Sequence, residues 1–512
     1  MLGNLGTFMR DVASAWLVIE LSNSASAVAL VQAATTLPIF LLAIPAGVLS
    51  DILDRRWLLV AVQAGLAVVS SVLALLAWSA GLSVPSLIGL TLLGGIGAAL
   101  SMPSWQAIVP ELVGRDELKG AVALNSLGFN ISRAIGPALG GLILASLGAA
   151  ATYAADALTY VIVIAALLWW PRPAVPREDL PEAFGGAFRA ALRYARAAPE
   201  LRRVLLRAAV FFGFVSSLWA LLPIVARDLL GGGPGFYGLL LGGVGAGAIG
   251  GALAMPRLRR RLDGDGLVLG ASLTTAVVAA GLAMAPPQGV ALVLSLFLGA
   301  AWIAVLTTLN ATTQAILPNW VRGRGLAIYL MVFNGAMALG SVAWGGVAEA
   351  IGVPATLLAG AAGLAAAALL AHRIRLPAGD ADLAPSHHWP EPLLAEPVPN
   401  DRGPVLVTIA YDVRAEDRPA FVTVLHRLAQ ERRRDGAYAW GLAEDAEEPR
   451  RLVEWFLVES WAEHLRQHHR VSKSDADLQQ EAHRFHAGPQ PPKVDHFLGL
   501  SPAVVRHTPD PS

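Results

Sequence analysis

The chain has 512 residues, of which 55% are hydrophobic and 15% are charged, and 38 Lys and Arg balance 38 Asp and Glu. These proportions are those of a membrane protein and exclude an ordinary soluble one. Cysteine is absent, which excludes disulfides, thiolate metal ligands and cysteine nucleophiles.

The chain begins with an apolar segment that carries Arg10 and Asp11 in its middle, and no cleavable signal peptide is visible. A spanning helix needs about 20 apolar residues. We therefore expect a first helix that is shortened if Met1 is an internal methionine.

Apolar runs of spanning length then recur along the chain, which predicts about twelve transmembrane helices. The runs lie at about 1–21, 26–49, 57–80, 85–108, 120–147, 150–170, 204–226, 235–255, 266–285, 288–311, 325–348 and 353–372. Connectors rich in arginine alternate with connectors that have no Lys or Arg, and only Arg227 breaks this pattern. Because cationic loops stay in the cytoplasm during insertion, we expect the arginine-rich connectors and both termini to be cytoplasmic.

The order of these segments predicts five regions. A longer connector divides the spans six and six, and QAIVPELV in the first half is echoed by QAILPNWV in the second, so the two halves are expected to be pseudo-symmetric. The connector includes a basic segment expected to form a helix at the membrane surface. The regions are a first half at 1–170, a central loop at 171–203, a second half at 204–375, a proline-rich linker at 376–403 and a soluble domain at 404–500.

The soluble domain alternates strand and helix patterns in the order βαββαβ, which predicts a small ferredoxin-like α+β fold. Its second helix, AEHLRQHHRVSKSDADLQQEAHRFH, is expected to be continuous. His464 and His468 share a face of that helix, a spacing that could hold a metal, but no HExxH order supports a metal site. A solvated helix face is therefore favoured, and no metal site is expected.

Four charged residues stand out within the spans: Arg10, Asp11, Arg133 and Asp156. Such residues are costly in hydrocarbon and usually face a partner or a polar cavity. From the helical rise, Asp11 and Arg133 are expected to meet near the middle of the membrane. A structural ion pair, a proton-coupling carboxylate and an anchor for a charged group of the substrate all remain open as roles.

Polar and aromatic residues within otherwise apolar spans mark a candidate substrate cavity at Asn130, Trp219, Asn310 and Asn334. A cavity of this kind suits a hydrophobic or amphipathic molecule better than a sugar or a small ion, although ordinary hydrogen bonding between helices explains each residue alone equally well. GPALGG, with Gly136, Pro137, Gly140 and Gly141, is expected to let its helix bend or slide against a neighbour.

Three stretches of the sequence carry a resemblance to a known family. GVLSDILDRR after the second span, GPALGG in the fifth and PELVGRDELKGAVALNS between them resemble the major facilitator superfamily, and in particular its transmembrane secretion effector branch, which includes enterobactin exporters. The resemblance implies an all-helical transporter fold of about twelve spans in two six-helix halves, followed here by the ferredoxin-like domain.

The resemblance also implies roles for the loop after the second span. Gly47, Asp51, Arg55 and Arg56 match the family's gating loop, whereas Ile52 and Asp54 depart from its pattern. Asp51 would cap the cytoplasmic start of the eleventh helix, and an anion is favoured at a helix N-terminus. Its expected partners are Arg322 or Arg324.

The functional expectation is a secondary transporter of the inner membrane that exports a drug-like or siderophore-like molecule in exchange for protons. GPALGG resembles a pattern associated with antiporters, and the lack of a Walker loop makes ATP an unsuitable energy source. The expected partners are the bilayer, a small molecule and protons, with no cofactor and no nucleic acid. A membrane-anchored sensor or enzyme that acts through the soluble domain, and an uptake carrier, remain as alternatives; a regulatory or dimerising role for that domain is favoured over catalysis.

Overall fold

A computed structural model describes residues 1–109, 112–113, 117–170, 192–377, 382–383, 386 and 396–500. Its contacts form two compact units. The first comprises Met1–Leu180, Arg203–Ala311 and Tyr329–Leu376, and the second comprises Pro181–Arg202, Thr312–Ile328 and Pro377–Ser512.

The first unit is helical. Its helices are α1 (Leu2–Leu21), α2 (Ala25–Ile52), α3 (Arg55–Trp78), α4 (Val84–Ile108), the interrupted helix Leu118–Trp169, α7 (Pro199–Ile224), α8 (Pro234–Leu258), α9 (Gly264–Ala283), α10 (Gln288–Ala315), α11 (Asn319–Ile351) and α12 (Val353–His372). A short π-helix, Val225–Leu229, extends α7, and α10 and α11 continue into residues of the second unit.

The helix Leu118–Trp169 contains two of the predicted spans. It is interrupted at Gly148, whose φ of 81° and ψ of 177° are not helical, and we call its arms α5 (118–147) and α6 (149–169). Positive φ is accessible to glycine without a Cβ penalty, which explains why the interruption falls there. Ten helices of the described residues are long and apolar enough to cross a membrane. Counting both arms and the more polar α1 separately gives the predicted twelve.

Small polar residues begin several of these helices. Ser24, Asp54 and Asp263 each accept a hydrogen bond from a backbone N–H in the first turn of α2, α3 and α9. Such caps satisfy donors that have no partner within the helix. Asp54, a departure from the family's loop pattern, therefore has a local role as the cap of α3.

The described strands belong to the second unit, in its ferredoxin-like domain. They are β1 (Val405–Asp412), β2 (Ala439–Glu444), β3 (Arg451–Val458) and β4 (Lys493–Leu498), in the antiparallel order β2-β3-β1-β4. Alternate residues of β1 and β3 are buried, and they pack with α13 (Arg418–Asp435) in one apolar core. The predicted βαββαβ order is confirmed.

The prediction of one continuous second helix in this domain was wrong. It is divided into α14 (Trp461–Arg470) and α15 (Lys473–His483), with Val471 extended between them. The hydroxyl of Ser472 and the carboxylate of Asp475 form a reciprocal capping box that starts α15. The Ser-x-x-Asp spacing that signals such a box is present in the sequence.

Candidate functional site

A charged cluster lies inside the first unit, where one arginine faces two carboxylates. Nη2 of Arg10 lies 3.3 Å from Oδ1 of Asp11, and its Nη1 lies 3.8 Å from Oδ2 of Asp156. Arg10 and Asp156 are buried, whereas the side chain of Asp11 is 35% exposed. With both carboxylates ionised the cluster has an excess negative charge, and Asp11 is the more exposed of the two carboxylates.

Hydroxyl groups complete the cluster. Oγ of Ser70, on α3, donates to Oδ2 of Asp156 over 2.6 Å, and Nη1 of Arg10 donates to the hydroxyl of Tyr160 over 3.2 Å. Oδ1 of Asp156 has no hydrogen-bond partner among the described residues. A Cβ built on Gly6 would lie 2.5 Å from that oxygen, so α1 can approach α6 this closely because residue 6 is glycine.

The expected pair between Asp11 and Arg133 is not formed. Asp11 bonds to its neighbour Arg10, and no carboxylate of the described residues is within ion-pair distance of Arg133. Instead the guanidinium carbon of Arg133 lies 5.5 Å from the ring centroid of Trp302. Arg133 is partly buried, and a cation–π contact contributes about 0.5–2 kcal/mol, less than the several kcal/mol that full removal of a guanidinium from water costs. Arg133 is therefore a cation whose charge this site leaves incompletely compensated.

Trp302, on α10, is the centre of an aromatic cluster in the second half. Its ring centroid lies 5.1 Å from that of Trp219, 5.4 Å from that of Phe212 and 6.1 Å from that of Phe333. The cluster joins α7, α10 and α11 through contacts between aromatic rings. The indole N–H groups of Trp219 and Trp302 have no hydrogen-bond acceptor within the described part of the chain.

The other candidate cavity residues have different surroundings. Asn130 is exposed, and it lies one turn before Arg133 on α5. Asn334 is buried, and its side-chain amide donates to the carbonyl of Leu330 over 2.8 Å. Asn310 is partly buried on α10. Of the four predicted cavity residues, Trp219 is the one that the structure brings into ring contact with Trp302.

The glycines of GPALGG allow α5 to approach two helices. A Cβ built on Gly136 would lie 2.7 Å from Cβ of Phe8, and one built on Gly140 would lie 2.7 Å from Cα of Met9. A Cβ on Gly141 would lie 2.7 Å from Cα of Gly238 on α8. The motif thus acts here as a close-packing surface between α1, α5 and α8. Pro137 lies within the helix and cannot donate to the carbonyl of Arg133.

One end of the bundle carries further contacts between the halves. At this end α1 and α5 finish and α2 and α8 begin, and we call it the arginine-poor end because its connectors have few arginines. Oε2 of Glu349 accepts hydrogen bonds from Oγ of Ser24 and from the backbone N of Ser26, both over 3.0 Å. Arg227 donates to the carbonyl of Ile19. The one arginine that breaks the charge pattern of the connectors therefore links two helices of different halves.

Three candidate gating residues donate hydrogen bonds to backbone carbonyls. Arg55 donates to the carbonyl of Ser50 over 3.2 Å, Arg56 to that of Leu168 over 2.7 Å, and Arg322 to that of Leu317 over 3.3 Å. Gly47 lies within α2 with no atom near a built Cβ, and Arg324 is partly buried. The side chain of Asp51 lies outside the described part of the structure, so its latch with Arg322 or Arg324 stays a prediction.

The second unit brings its soluble domain against two connecting segments. Nη2 of Arg193, in the helical segment 192–197, lies 3.0 Å from Oε1 of Glu463 on α14. The guanidinium carbon of Arg470 lies 4.5 Å from the ring centroid of Trp320, at the start of α11. The ring of Trp320 also contacts Tyr194, at 5.7 Å. The domain is therefore in contact with the segment that carries Arg322 and Arg324.

The histidines of α14 differ from the prediction of a solvated face. His464 is 1% exposed, and its ring centroid lies 4.7 Å from those of His468 and His496. Burial, together with the neighbouring imidazoles of His468 and His496, lowers the pKa of His464 to about 3. The prediction of a solvated helix face was wrong for His464, because α14 places this residue against His496 of β4.

The family model for transmembrane secretion effectors matches residues 1–503. The chain belongs to this family. It is a multi-pass transporter of the major facilitator superfamily and not an enzyme, as the sequence motifs indicated.

Three bacterial transporters are similar to the chain over part of its length. It is 28% identical to the multidrug efflux pump Tap of Mycolicibacterium fortuitum, over 69% of this chain and 88% of that protein. It is 25% identical to the staphyloferrin A transporter of Staphylococcus aureus, with the same coverage of 69% and 88%. The enterobactin exporter EntS of Salmonella typhimurium is 30% identical over 51% of this chain and 63% of that protein.

Solved transporters share the fold. A D-xylose-proton symporter has a TM-score of 0.58 at 18% identity, over 74% of this chain and 97% of that chain. A bacterial homologue of the human lysosomal transporter Spinster, in an inward-facing conformation, has a TM-score of 0.54 at 17% identity, over 73% of this chain and 95% of that chain. These likenesses confirm the major facilitator fold predicted for this secretion effector.

Proposed function

We propose that this transporter exports a hydrophobic or amphipathic, drug-like or siderophore-like molecule across the inner membrane in exchange for protons. Its relatives include a multidrug efflux pump and an enterobactin exporter. Both termini and the arginine-rich connectors face the cytoplasm, which follows the rule that cationic loops are retained inside. The arginine-poor end then faces outward, and the contacts there correspond to a conformation that is closed to the outside.

The arrangement of Arg10, Asp11 and Asp156 is the observation that carries proton coupling. One guanidinium serves two carboxylates in a region of low dielectric, so a proton on either carboxylate removes the excess charge. Protonation of the accessible Asp11 would free Arg10 to strengthen its contact with Asp156. The result is a shift of α1 relative to α6, which can change the preference between two conformations.

Alternating access then consists of rocking of the two halves around the embedded site. Release of the contacts of Glu349 and Arg227 would open the outer end. At the inner end, Asp51 would pair with Arg322 or Arg324 and hold the end closed, a latch that we propose from the sequence. The proposed transporter is divided into the five regions predicted from the sequence: 1–170, 171–203, 204–375, 376–403 and 404–500.

The soluble domain is proposed to dimerise and to regulate transport. The strand register places Leu406, Trp455, Leu457 and Phe497 on the sheet face opposite α13, and Phe497 is 53% exposed. An apolar sheet face of this kind is typical of a protein interface. Substitution of Trp455 by Arg should convert a dimeric particle in nanodiscs to a monomeric one in mass photometry, and a monomeric wild type would contradict the dimer.

Everted membrane vesicles test the direction and the coupling. Energised everted vesicles should accumulate a fluorescent substrate, and dissipation of the pH gradient should abolish the accumulation. Whole cells should exclude the same compound. Accumulation by whole cells and exclusion by everted vesicles would identify an uptake carrier instead.

Asp11→Asn and Asp156→Asn variants test the coupling residues in the same assay. Each should lose gradient-driven accumulation and keep downhill movement of substrate. Asp477→Asn, a change of an exposed carboxylate in the soluble domain, is the matched control and should transport like the wild type. Unchanged gradient dependence in both embedded variants would contradict the assignment.

A further inference from the structure

Three side chains with hydrogen-bond donors lie at the aromatic cluster. The guanidinium of Arg133 lies 5.5 Å from the ring of Trp302, and the rings of Trp302 and Trp219 lie 5.1 Å apart. The indole N–H groups of both tryptophans have no acceptor among the described residues, and Trp302 is 4% exposed. A buried donor without an acceptor is uncommon in a folded protein and requires an explanation.

The three side chains can donate hydrogen bonds but cannot accept them. Arginine and tryptophan side chains have no acceptor nitrogen. One of the three is also a cation with no carboxylate within ion-pair distance in the described residues. A ligand that satisfies the set must therefore supply negative charge and acceptor oxygens.

The surroundings of the donors define the rest of the ligand. Phe212 and Phe333 flank Trp302, with ring centroids 5.4 Å and 6.1 Å away. Aromatic faces and edges of this kind favour a planar, apolar ring system. Hydrophobic sites with a few placed polar groups are typical of small-molecule recognition.

We infer that Arg133, Trp219 and Trp302 form a binding site for an anionic aromatic amphiphile, whose carboxylate or phenolate is held by the three donors and whose rings pack on the aromatic cluster. The inference rests on the proposed export function and names the substrate class of that function. Arg133 lies on α5 in the first half, and the two tryptophans lie on α7 and α10 in the second. A bound anion would connect the two halves, so its binding is coupled to their relative movement.

Two xanthene dyes of nearly the same ring system and opposite charge test the inference by binding alone. Fluorescein is an anion at pH 7.5, and rhodamine 123 is a cation. Binding to the purified full chain in nanodiscs is measured by fluorescence polarisation without a proton gradient, with empty nanodiscs as the blank. We expect the wild type to bind fluorescein at least tenfold more tightly than rhodamine 123, since a hydrogen bond to a charged group contributes about one order of magnitude in affinity.

Variants assign the preference to the three donors. Arg133→Gln should weaken fluorescein binding by about tenfold or more and leave rhodamine 123 unchanged or tighter, whereas Arg133→Lys should restore part of the preference. Trp302→Phe and Trp219→Phe keep a ring and remove the N–H, and each should weaken fluorescein binding by a few-fold. Trp78→Phe is the matched control, because Trp78 is 80% exposed at the end of α3 and is remote in sequence from the cluster.

The outcomes separate this inference from the proposed function. Equal binding of both dyes by the wild type, preference for rhodamine 123, or an unchanged fluorescein affinity in Arg133→Gln that still elutes as a single species would overturn the anionic site. Transport of rhodamine 123 by wild-type vesicles together with such a result would leave proton-driven export standing. Selective fluorescein binding without gradient-driven transport would uphold the site and contradict the exporter.

Discussion

Nη1 of Arg10 lies 3.8 Å from the carboxylate of Asp156 although the two residues are 146 positions apart in sequence. The contact joins the first and sixth helices of the first half. Because Arg10 also bonds to Asp11, the removal of either carboxylate leaves a one-to-one ion pair. The two carboxylates differ in access, since Asp156 is fully buried and Asp11 is not.

This difference predicts unequal costs for substitution by an apolar residue. Asp156→Leu should lower the folding yield and thermal stability by about 1–3 kcal/mol, because Arg10 would lose its buried carboxylate and the hydroxyl of Ser70 would lose its acceptor. Asp11→Leu should cost much less, since the partly exposed side chain leaves the pair of Arg10 with Asp156 in place. Thermal unfolding of the purified variants in one detergent measures both, and equal losses would contradict the proposed roles.

The spans and the soluble fold could be predicted because each depends on a pattern that the environment enforces. Lipid requires about 20 apolar residues for a spanning helix, and the alternation in PVLVTIAYDV fits a sheet buried on one face. The interruption at Gly148 was also visible as a break between two apolar runs. What the structure adds is that a single non-helical residue connects α5 and α6.

The pairing of the embedded charges could not be predicted in this way. Neighbouring residues such as Arg10 and Asp11 diverge around a helix, so depth alone favoured a pair between Asp11 and Arg133. The long side chain of Arg10 overrides that argument by reaching Asp11 and Asp156 together. Trp302 was missed because an aromatic residue in a span is usually packing, and an N–H without an acceptor is visible only in three dimensions.

The glycine contacts predict a contrast within one helix. Gly238→Ala should destabilise the protein by about 1–3 kcal/mol, the usual cost of overpacking, because the new Cβ would lie 2.7 Å from the carbonyl oxygen of Pro137 and 2.8 Å from Cα of Gly141. Gly250→Ala, also on α8, has no atom within 4 Å of a new Cβ and should be neutral or slightly stabilising.

Thermal unfolding and transport rates of these two variants provide the measurement. Both changes add one methyl group to the same helix, so a general effect of alanine cancels in the comparison. Gly238→Ala should also slow transport, since α5 and α8 belong to different halves. Similar stabilities for the two variants would show that the α5–α8 contact is looser than the distances indicate.

Glu349 predicts a shift in the state of the arginine-poor end. Glu349→Gln weakens two hydrogen bonds from Ser24 and Ser26, and the open state at this end should become more populated. The natural chain has no cysteine, so a single Val28→Cys reporter can be introduced without background. Val28 is 2% exposed on α2, and its labelling by a membrane-impermeant maleimide should accelerate a few-fold in the Glu349→Gln background.

Two controls make the labelling experiment specific. Glu447→Gln changes an exposed carboxylate of the soluble domain and should leave the labelling rate of the Val28→Cys reporter unchanged. Labelling from outside in intact cells also reports which end faces outward. An unchanged rate in the Glu349→Gln background would mean that these hydrogen bonds do not hold the end closed.

The buried histidine predicts an acid-sensitive soluble domain. Burial lowers the pKa of His464 to about 3 from its ordinary value of 6.5, so the folded state stays neutral while the unfolded chain takes up a proton below pH 6.5. The contribution of His464 to stability is therefore fully present above pH 6.5 and is lost as the pH is lowered toward 3, by about 1.4 kcal/mol for each pH unit.

His464→Asn, which carries no titrating group, should flatten this dependence between pH 6.5 and 4.5. Hydrogen–deuterium exchange of β1 and β3 in the intact transporter measures the opening of the domain. His426→Asn is the control, because the described contacts of the His426 ring are with Trp440 and not with the clustered imidazoles. Equal acid sensitivity of the wild type and His464→Asn would assign the dependence to other groups.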